Sequence, residues 1–313
     1  MVKHLISGGG AIFIKSNDFS TLIKECDFIS NYVKLSGPNI QNSGGGAILS
    51  TVLPQHLRIM VERSTFSDNY VFIDSFDDQR VPSLNGGGAC YIASTFILSE
   101  STLEGNYVKV TGDDEENMNP SGGGAIILGG HGEQSRIVNT TIANNRLENP
   151  LSEGAGVCGN EYASFNISNS IILGNYKGSN PTGSNIEFQD IYTITPEDFT
   201  MLYSVYGVYQ PDVEDNEEEE RKLLHNQVSD VQDVFRAEWR WLNERYVLVN
   251  IETGQPVLEG RVMKISAEGA AATAGTLTAF CFLRTRKKYF RTVSLSVIER
   301  ALINGEKLWM KNG

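Results

Sequence analysis

Basic residues are in short supply: Lys and Arg number 26 against 38 Asp and Glu, a formal net charge of −12. Gripping nucleic acid through its phosphates needs Lys and Arg clustered on one face, so nucleic acid is not an expected partner. Cysteine and histidine are equally sparse, four of each. Cys26, Cys90, Cys158 and Cys281 lie far apart in no metal-ligand spacing, which argues against a zinc site and against a disulfide framework. Long apolar runs are missing too. The charged start at Met1–Ser7 is not followed by one, so no signal peptide is read. Gly269–Leu283 is apolar but rich in Ala, Thr and Gly. It falls short of the roughly 20 strongly apolar residues a spanning helix needs, and no membrane span is expected.

What the chain does contain is a repeat, and repeats decide folds. A glycine cluster followed by small and apolar residues recurs as Gly8-Gly9-Gly10-Ala11-Ile12, Gly44-Gly45-Gly46-Ala47-Ile48, Gly86-Gly87-Gly88-Ala89-Cys90, Gly122-Gly123-Gly124-Ala125-Ile126 and, degraded, Gly154-Ala155-Gly156-Val157-Cys158. Each is followed by an apolar-x-x-Asn element ending at Asn31, Asn69, Asn106, Asn145 or Asn175. With the copies aligned on these asparagines, apolar residues fill one column (Ile23, Val61, Leu98, Ile137, Ile167) and small ones another (Cys26, Ser64, Ser101, Thr140, Ser170). The inward parity changes between the two columns. A straight strand alternates with period two, so the change requires a bend between short strands. Short strands and bends repeated at similar spacing predict one coil of a β-solenoid per unit.

On this reading Asn31, Asn69, Asn106, Asn145 and Asn175 are structural, stacking at one corner and hydrogen-bonding one another where water cannot reach. The glycines permit positive φ and close approach where the chain re-enters the stack. Cys90 and Cys158 fall in one column two coils apart, too distant for a disulfide, and with Cys26 read as buried thiols. Glu25, Arg63, Glu100, Asn139 and Asn169 form an outward column, a solvated ladder rather than a catalytic one.

The pairing of Gly9-Gly10-Ala11-Ile12 with Phe28-Ile29-Ser30-Asn31, and of Gly45-Gly46-Ala47-Ile48 with Phe66-Ser67-Asp68-Asn69, resembles the repeats of the polymorphic outer-membrane protein family and of related bacterial right-handed β-helix proteins. The likeness covers a little over half of the chain. It implies an all-β fold, a right-handed single-stranded parallel β-helix, and an adhesin-like protein that is extracellular or at the cell surface. It lacks that family's C-terminal membrane β-barrel pattern. The motif pair speaks to fold more than function, since β-helices host adhesins, lyases and tailspikes alike.

The expected organisation is a parallel β-helix over residues 1–195, an irregular coil and capping segment over 196–262, and a C-terminal segment, 263–313, whose fold is open apart from helical spacing in Val297, Ile298, Ala301 and Leu302. Phe235, Trp239, Trp241, Leu242, Tyr246, Leu248 and Val257 supply apolar mass for a cap. The first repeat begins almost at Met1 with no evident cap, so a further β-helix or a partner is expected at that end.

Function is expected on the excursions Tyr32–Ser43, Tyr70–Asn85, Tyr107–Ser121 and Arg146–Glu153, which leave one corner of successive coils and must cluster on one side. At their base stands the column Tyr32, Tyr70, Tyr107, Arg146, Tyr176, either a ligand-binding stripe suited to a glycan or protein partner or a tyrosine stack that holds the loops down. No cofactor or metal is expected. Asp74, Asp77, Asp78, Asp113, Asp114, Glu115 and Glu116 could offer oxygens to Ca²⁺, but read first as solvated charge. An enzyme needs converging carboxylates or a nucleophile with its base. The strand column Phe13, Leu49, Tyr91, Ile127, Gly159 holds no charge, and His4, His56, His131 and His225 fall in different columns. A non-enzymatic, adhesin-like binding protein is therefore the leading expectation. The alternatives are a carbohydrate-active enzyme, a polysaccharide lyase or tailspike-like hydrolase acting from the loops, and a plain stalk.

Overall fold

In the computed structural model, residues 8–257 are described apart from 16–19, 38–39, 41–42, 51–56, 76–84, 112–120, 130–133, 149–151, 161–162, 184–185, 195–197, 212–222, 225 and 243–244. The expected helical spacing near Val297 and the apolar stretch from Gly269 lie outside these residues.

The bend demanded by the parity change is a single left-handed residue. Glu25, Arg63, Glu100, Asn139 and Asn169 all have φ between 48 and 56°. A second left-handed corner follows at Ser30, Asp68, Gly105, Asn144 and Gly174, just ahead of each ladder asparagine. The column read as a charge ladder is thus first a corner, although Arg63 and Glu25 do pair across it at 2.8 Å. Asn tolerates this conformation better than most residues, and three of the later corner positions use it.

Strands between the corners pair in parallel with the equivalent strands of neighbouring coils, building a β-solenoid. A first, seven-stranded sheet runs from Ile12–Ile14 through Cys90–Ile92 to Tyr209–Pro211. A second runs from Thr21–Lys24 through Thr95–Ser99 to Leu223–Leu224, and a third from Asp27–Ile29 through Thr102–Glu104 to Gln227–Val228. The stack therefore continues past residue 195. A fourth sheet has six strands: Tyr32–Gly37, Tyr70–Ser75, Tyr107–Thr111, Arg146–Glu148 and Tyr176–Lys177 in parallel, closed by antiparallel Glu187–Phe188. The excursions predicted as loops accordingly begin as ordered strand. Their inward residues Val33, Val71, Val108 and Leu147 form a small core of their own, apart from the main one built on residues such as Val61, Phe66, Leu98, Leu103, Ile142 and Phe165.

The glycines answer to backbone crowding. At Gly88 an added Cβ would lie 2.1 Å from the Gly124 carbonyl oxygen and 2.7 Å from the Tyr107 nitrogen, so no side chain fits where coils cross. The degraded fifth copy is offset by one residue from its sequence alignment. Val157 pairs with Ile126 and Cys158 with Ile127, and Gly154, not Ala155, takes the left-handed place of Gly123. Cys158 therefore belongs to the outward column Phe13, Leu49, Tyr91, Ile127, where Gly159 was expected, while Cys90 faces the main core. The two thiols do not share a column. Both are buried and free, and desolvation pushes their ionisation up, that of Cys158 to about 12.

Along the corner the asparagines form one directional chain. The backbone N–H and Nδ2 of Asn69 both donate to Oδ1 of Asn106, at 3.0 and 2.9 Å, and Nδ2 also donates to the carbonyl of Phe28. The same pattern links Asn31 to Asn69, Asn106 to Asn145 and Asn145 to Asn175. The chain ends on Asp190, fully buried: its Oδ1 accepts both N–H donors of Asn175, and its Oδ2 accepts the backbone N–H groups of Gly207 and Val208. Burial pushes this carboxyl up to about 7, against the downward pull of its N–H donors.

The segment expected as a cap is a short helix, Val231–Phe235, followed by a hairpin of Ala237–Leu242 and Arg245–Asn250. It packs on the flank of the third sheet, where Val231, Phe235, Ala237 and Leu248 cover the outward residues Ala143, Ile171 and Leu173. Trp239 Nε1 donates to Asn144 Oδ1 at 3.1 Å. The outward positions of earlier coils, Thr65, Ser67, Thr102 and Glu104, are polar, and the switch to apolar residues marks where cover begins.

Replacing Asn106 by Ala strands several buried N–H and C=O groups and should lower unfolding free energy by about 3 kcal/mol in urea titration, whereas Asn31→Ala, at the end of the chain of bonds, should cost about 1 kcal/mol or less. Because the Asp190 carboxyl lies above its ordinary value, the stability it contributes is complete below about pH 4 and is lost as pH rises through about 7. The urea midpoint should fall between pH 5 and pH 8, and Asp190→Asn should flatten that dependence.

Candidate functional site

The outward face of the fourth sheet gathers four of the five residues in the proposed stripe. Parallel pairing without a register shift sets Tyr32 beside Tyr70, Tyr70 beside Tyr107 and Tyr107 beside Arg146. Strands about 4.8 Å apart hold planar side chains at stacking distance. The rings of Tyr32 and Tyr70 stack with centroids 5.2 Å apart and planes 9° apart, and those of Tyr70 and Tyr107 at 5.1 Å and 11°. The Arg146 guanidinium continues the column 4.5 Å above the Tyr107 ring. Desolvation raises the Tyr107 phenol, partly offset by the Arg146 charge.

Tyr176 stands in the same register but is 2 % exposed, with its phenol pushed up to about 12 by burial, so it supports the column from beneath rather than meeting a ligand.

The stacking has a chemical consequence. Both faces of Tyr70 and of Tyr107 are occupied by neighbours, so these rings present edges and hydroxyls outward and cannot lie flat against a sugar. Tyr32, 58 % exposed, is stacked on one face only among the described residues.

A second outward column, two residues on, went unremarked in the sequence although the period of two pointed to it: Lys34, Phe72, Lys109 and Glu148. Lys34 Nζ sits 5.3 Å from the Phe72 ring centre. Glu148 binds Lys109 at 3.0 Å and Arg146 at 3.2 Å, so one carboxylate fixes two cations. Beyond it, Gln189 Nε2 donates to Glu153 at 2.6 Å and to Glu187 at 2.5 Å, and Lys177 lies 3.9 and 3.8 Å from the same two carboxylates. No short-range signal could have found this group, because its members come from three separate segments.

Of the acidic residues considered for Ca²⁺, Asp74 accepts hydrogen bonds from Thr111 and Ser36. Asp77, Asp78, Asp113, Asp114, Glu115 and Glu116 lie outside the described residues, as do His4, His56, His131, His225 and Cys281. Among the described residues there is no group of three or more His, Cys, Asp or Glu able to hold a metal ion, and no helix long and apolar enough to cross a membrane.

Comparison with protein-family models, with curated proteins and with solved structures finds no match to this chain.

Tyr70→Ala removes the central ring and two stacking contacts, and should lower unfolding free energy by about 2 kcal/mol. Tyr70→Phe keeps the ring and should leave the urea midpoint nearly unchanged.

Proposed function

We propose that this is a non-enzymatic, adhesin-like β-helix, kin to the polymorphic outer-membrane protein repeats and placed at the cell surface or outside the cell, which holds a protein partner on the outward face of its fourth sheet. The observation that carries this reading is the Tyr32–Tyr70–Tyr107–Arg146 stack. Mutual stacking immobilises the side chains before any partner arrives, so little entropy remains to be lost on binding. Tyr and Arg are also the residue types that anchor protein interfaces. A row of phenol edges and hydroxyls, with Lys34, Phe72 and Lys109 alongside, suits a protein surface better than sugar rings, which favour free aromatic faces.

The carboxylates of Glu153 and Glu187, gathered by Gln189 and Lys177, support a second reading as a carbohydrate-active enzyme, since paired carboxylates are the machinery of glycoside hydrolysis.

Paired arrays of extracellular protein domains and of glycans, with a reducing-sugar release assay on any glycan bound, separate the possibilities. The expected result is binding to a protein domain without turnover, weakened about tenfold by the double variant Tyr70→Phe/Tyr107→Phe, which keeps the stack and removes two hydroxyls, worth about 1.4 kcal/mol together. Binding confined to glycans would replace the protein partner by a sugar. Released sugar that disappears in Glu153→Gln would select the enzyme, and silence on both arrays would leave a stalk.

A further inference from the structure

The tyrosine column sets up a covalent reaction that partner binding does not use. Tyr32 and Tyr70 lie side by side on adjacent strands paired without a register shift, with ring centroids 5.2 Å apart and planes 9° apart. Nearly parallel rings whose separation equals the strand spacing are translated copies of one another, so the ring carbons beside the two hydroxyls stand about 5 Å apart. Those carbons carry much of the unpaired electron when a phenol is oxidised to its phenoxyl radical. Two such radicals free in solution must meet by diffusion. In the column the partner is already in place, and holding two reactants together turns an encounter into a step within one molecule. The strands cannot slide apart in register, because Asn31, next to Tyr32, donates its backbone N–H and Nδ2 to Oδ1 of Asn69, next to Tyr70.

We infer that Tyr32 and Tyr70 form an oxidative cross-linking site, joined carbon to carbon as a biphenol by a one-electron oxidant of the haem-peroxidase and hydrogen peroxide class. Each phenol gives one electron to the oxidant and its hydroxyl proton to water. The two radicals join at the carbons beside their hydroxyls. Each of those carbons then releases its hydrogen as a proton while the oxygen regains one, which restores both aromatic rings and both hydroxyls. The protein loses two electrons and two protons in all, and one hydrogen peroxide takes them up to become two waters.

Exposure and packing select this pair within the column. Tyr32 is 58 % exposed, which admits the oxidant and gives its ring room to swing toward Tyr70. Tyr107 is held on both faces, by Tyr70 at 5.1 Å and by the Arg146 guanidinium at 4.5 Å, and Glu148 fixes that guanidinium from the side. Tyr176 is buried. The bond ties the Tyr32 strand to the Tyr70 strand across a whole coil, and such a link restricts the unfolded chain more than the folded one. It depends on the stack alone and stands whether or not the face binds a protein.

The test treats dilute full chain with a haem peroxidase and hydrogen peroxide, and reads the monomer-sized fraction by biphenol fluorescence and by mass spectrometry of tryptic peptides. The expected product is lighter than the chain by two hydrogen atoms, with the peptides carrying Tyr32 and Tyr70 joined. Tyr32→Phe keeps the ring, should keep the urea midpoint, and should abolish the fluorescence of that fraction. Tyr203→Phe removes an exposed tyrosine outside the column and should leave the fluorescence unchanged. Unfolding in urea before oxidation should remove the joined peptide pair. Absence of a biphenol would overturn the inference, as would fluorescence indifferent to Tyr32→Phe or joining at other tyrosines. So would an equal yield of the Tyr32–Tyr70 link in urea, or a product made mainly of cross-linked dimers, because coupling would then be an encounter that the fold does not arrange.

Discussion

At the corners of successive coils the buried amides of Asn69, Asn106, Asn145 and Asn175 must satisfy their hydrogen-bonding sites without help from water, and the stack exists only because the neighbouring coils supply the partners. Asn106 illustrates the constraint: its Oδ1 takes two N–H donors from Asn69, and its Nδ2 gives one hydrogen to Asn145 and the other to the carbonyl of Phe66. A bond pattern of this kind has a direction and a fixed rise, so it sets both the order of the coils and the distance between them. The Phe28–Phe66 stack, the tyrosine column and the pairing of four sheets all adopt that rise.

Direction also makes the two ends of the molecule chemically different. Toward the C-terminus the chain of amides meets Asp190, whose two oxygens receive donors from both sides and bring the pattern to a close. Close by, the helix and hairpin lie across a flank whose outward residues have turned apolar to receive them. Toward the N-terminus, Asn31 enters the chain as a donor only among the described residues, giving its backbone N–H and Nδ2 to Oδ1 of Asn69.

The same rise shapes the proposed binding face in a way that chemistry alone would not suggest. A column of tyrosines reads equally well as a row of free aromatic platforms or as a closed stack. At one strand spacing the rings touch, so the column becomes a rigid rib that exposes edges and hydroxyls. Arg146 belongs to that rib as a fourth plane, held from the side by Glu148.

Much of this was legible in the residues, and the limits of legibility have physical causes. The five asparagines, the glycine clusters, and the apolar columns of Ile23 and Phe28 announced a parallel β-solenoid, because a coil repeated at constant rise must repeat its side-chain demands at constant spacing. Three features were not legible. The register of the fifth copy depends on whether Gly154 or Ala155 faces Gly123, and only backbone pairing with the neighbouring coil decides it. Burial of Tyr176 at a position where Tyr32 is exposed comes from what lies over each, and a column in an alignment carries no information about cover. The Glu153–Gln189–Glu187–Lys177 group joins residues brought together by the antiparallel strand that closes the fourth sheet. The sequence by itself thus determined the repeating unit and its inward chemistry, which are local and periodic. Tertiary structure alone decided exposure, register and the meeting of distant side chains, since these depend on which coil lies next to which.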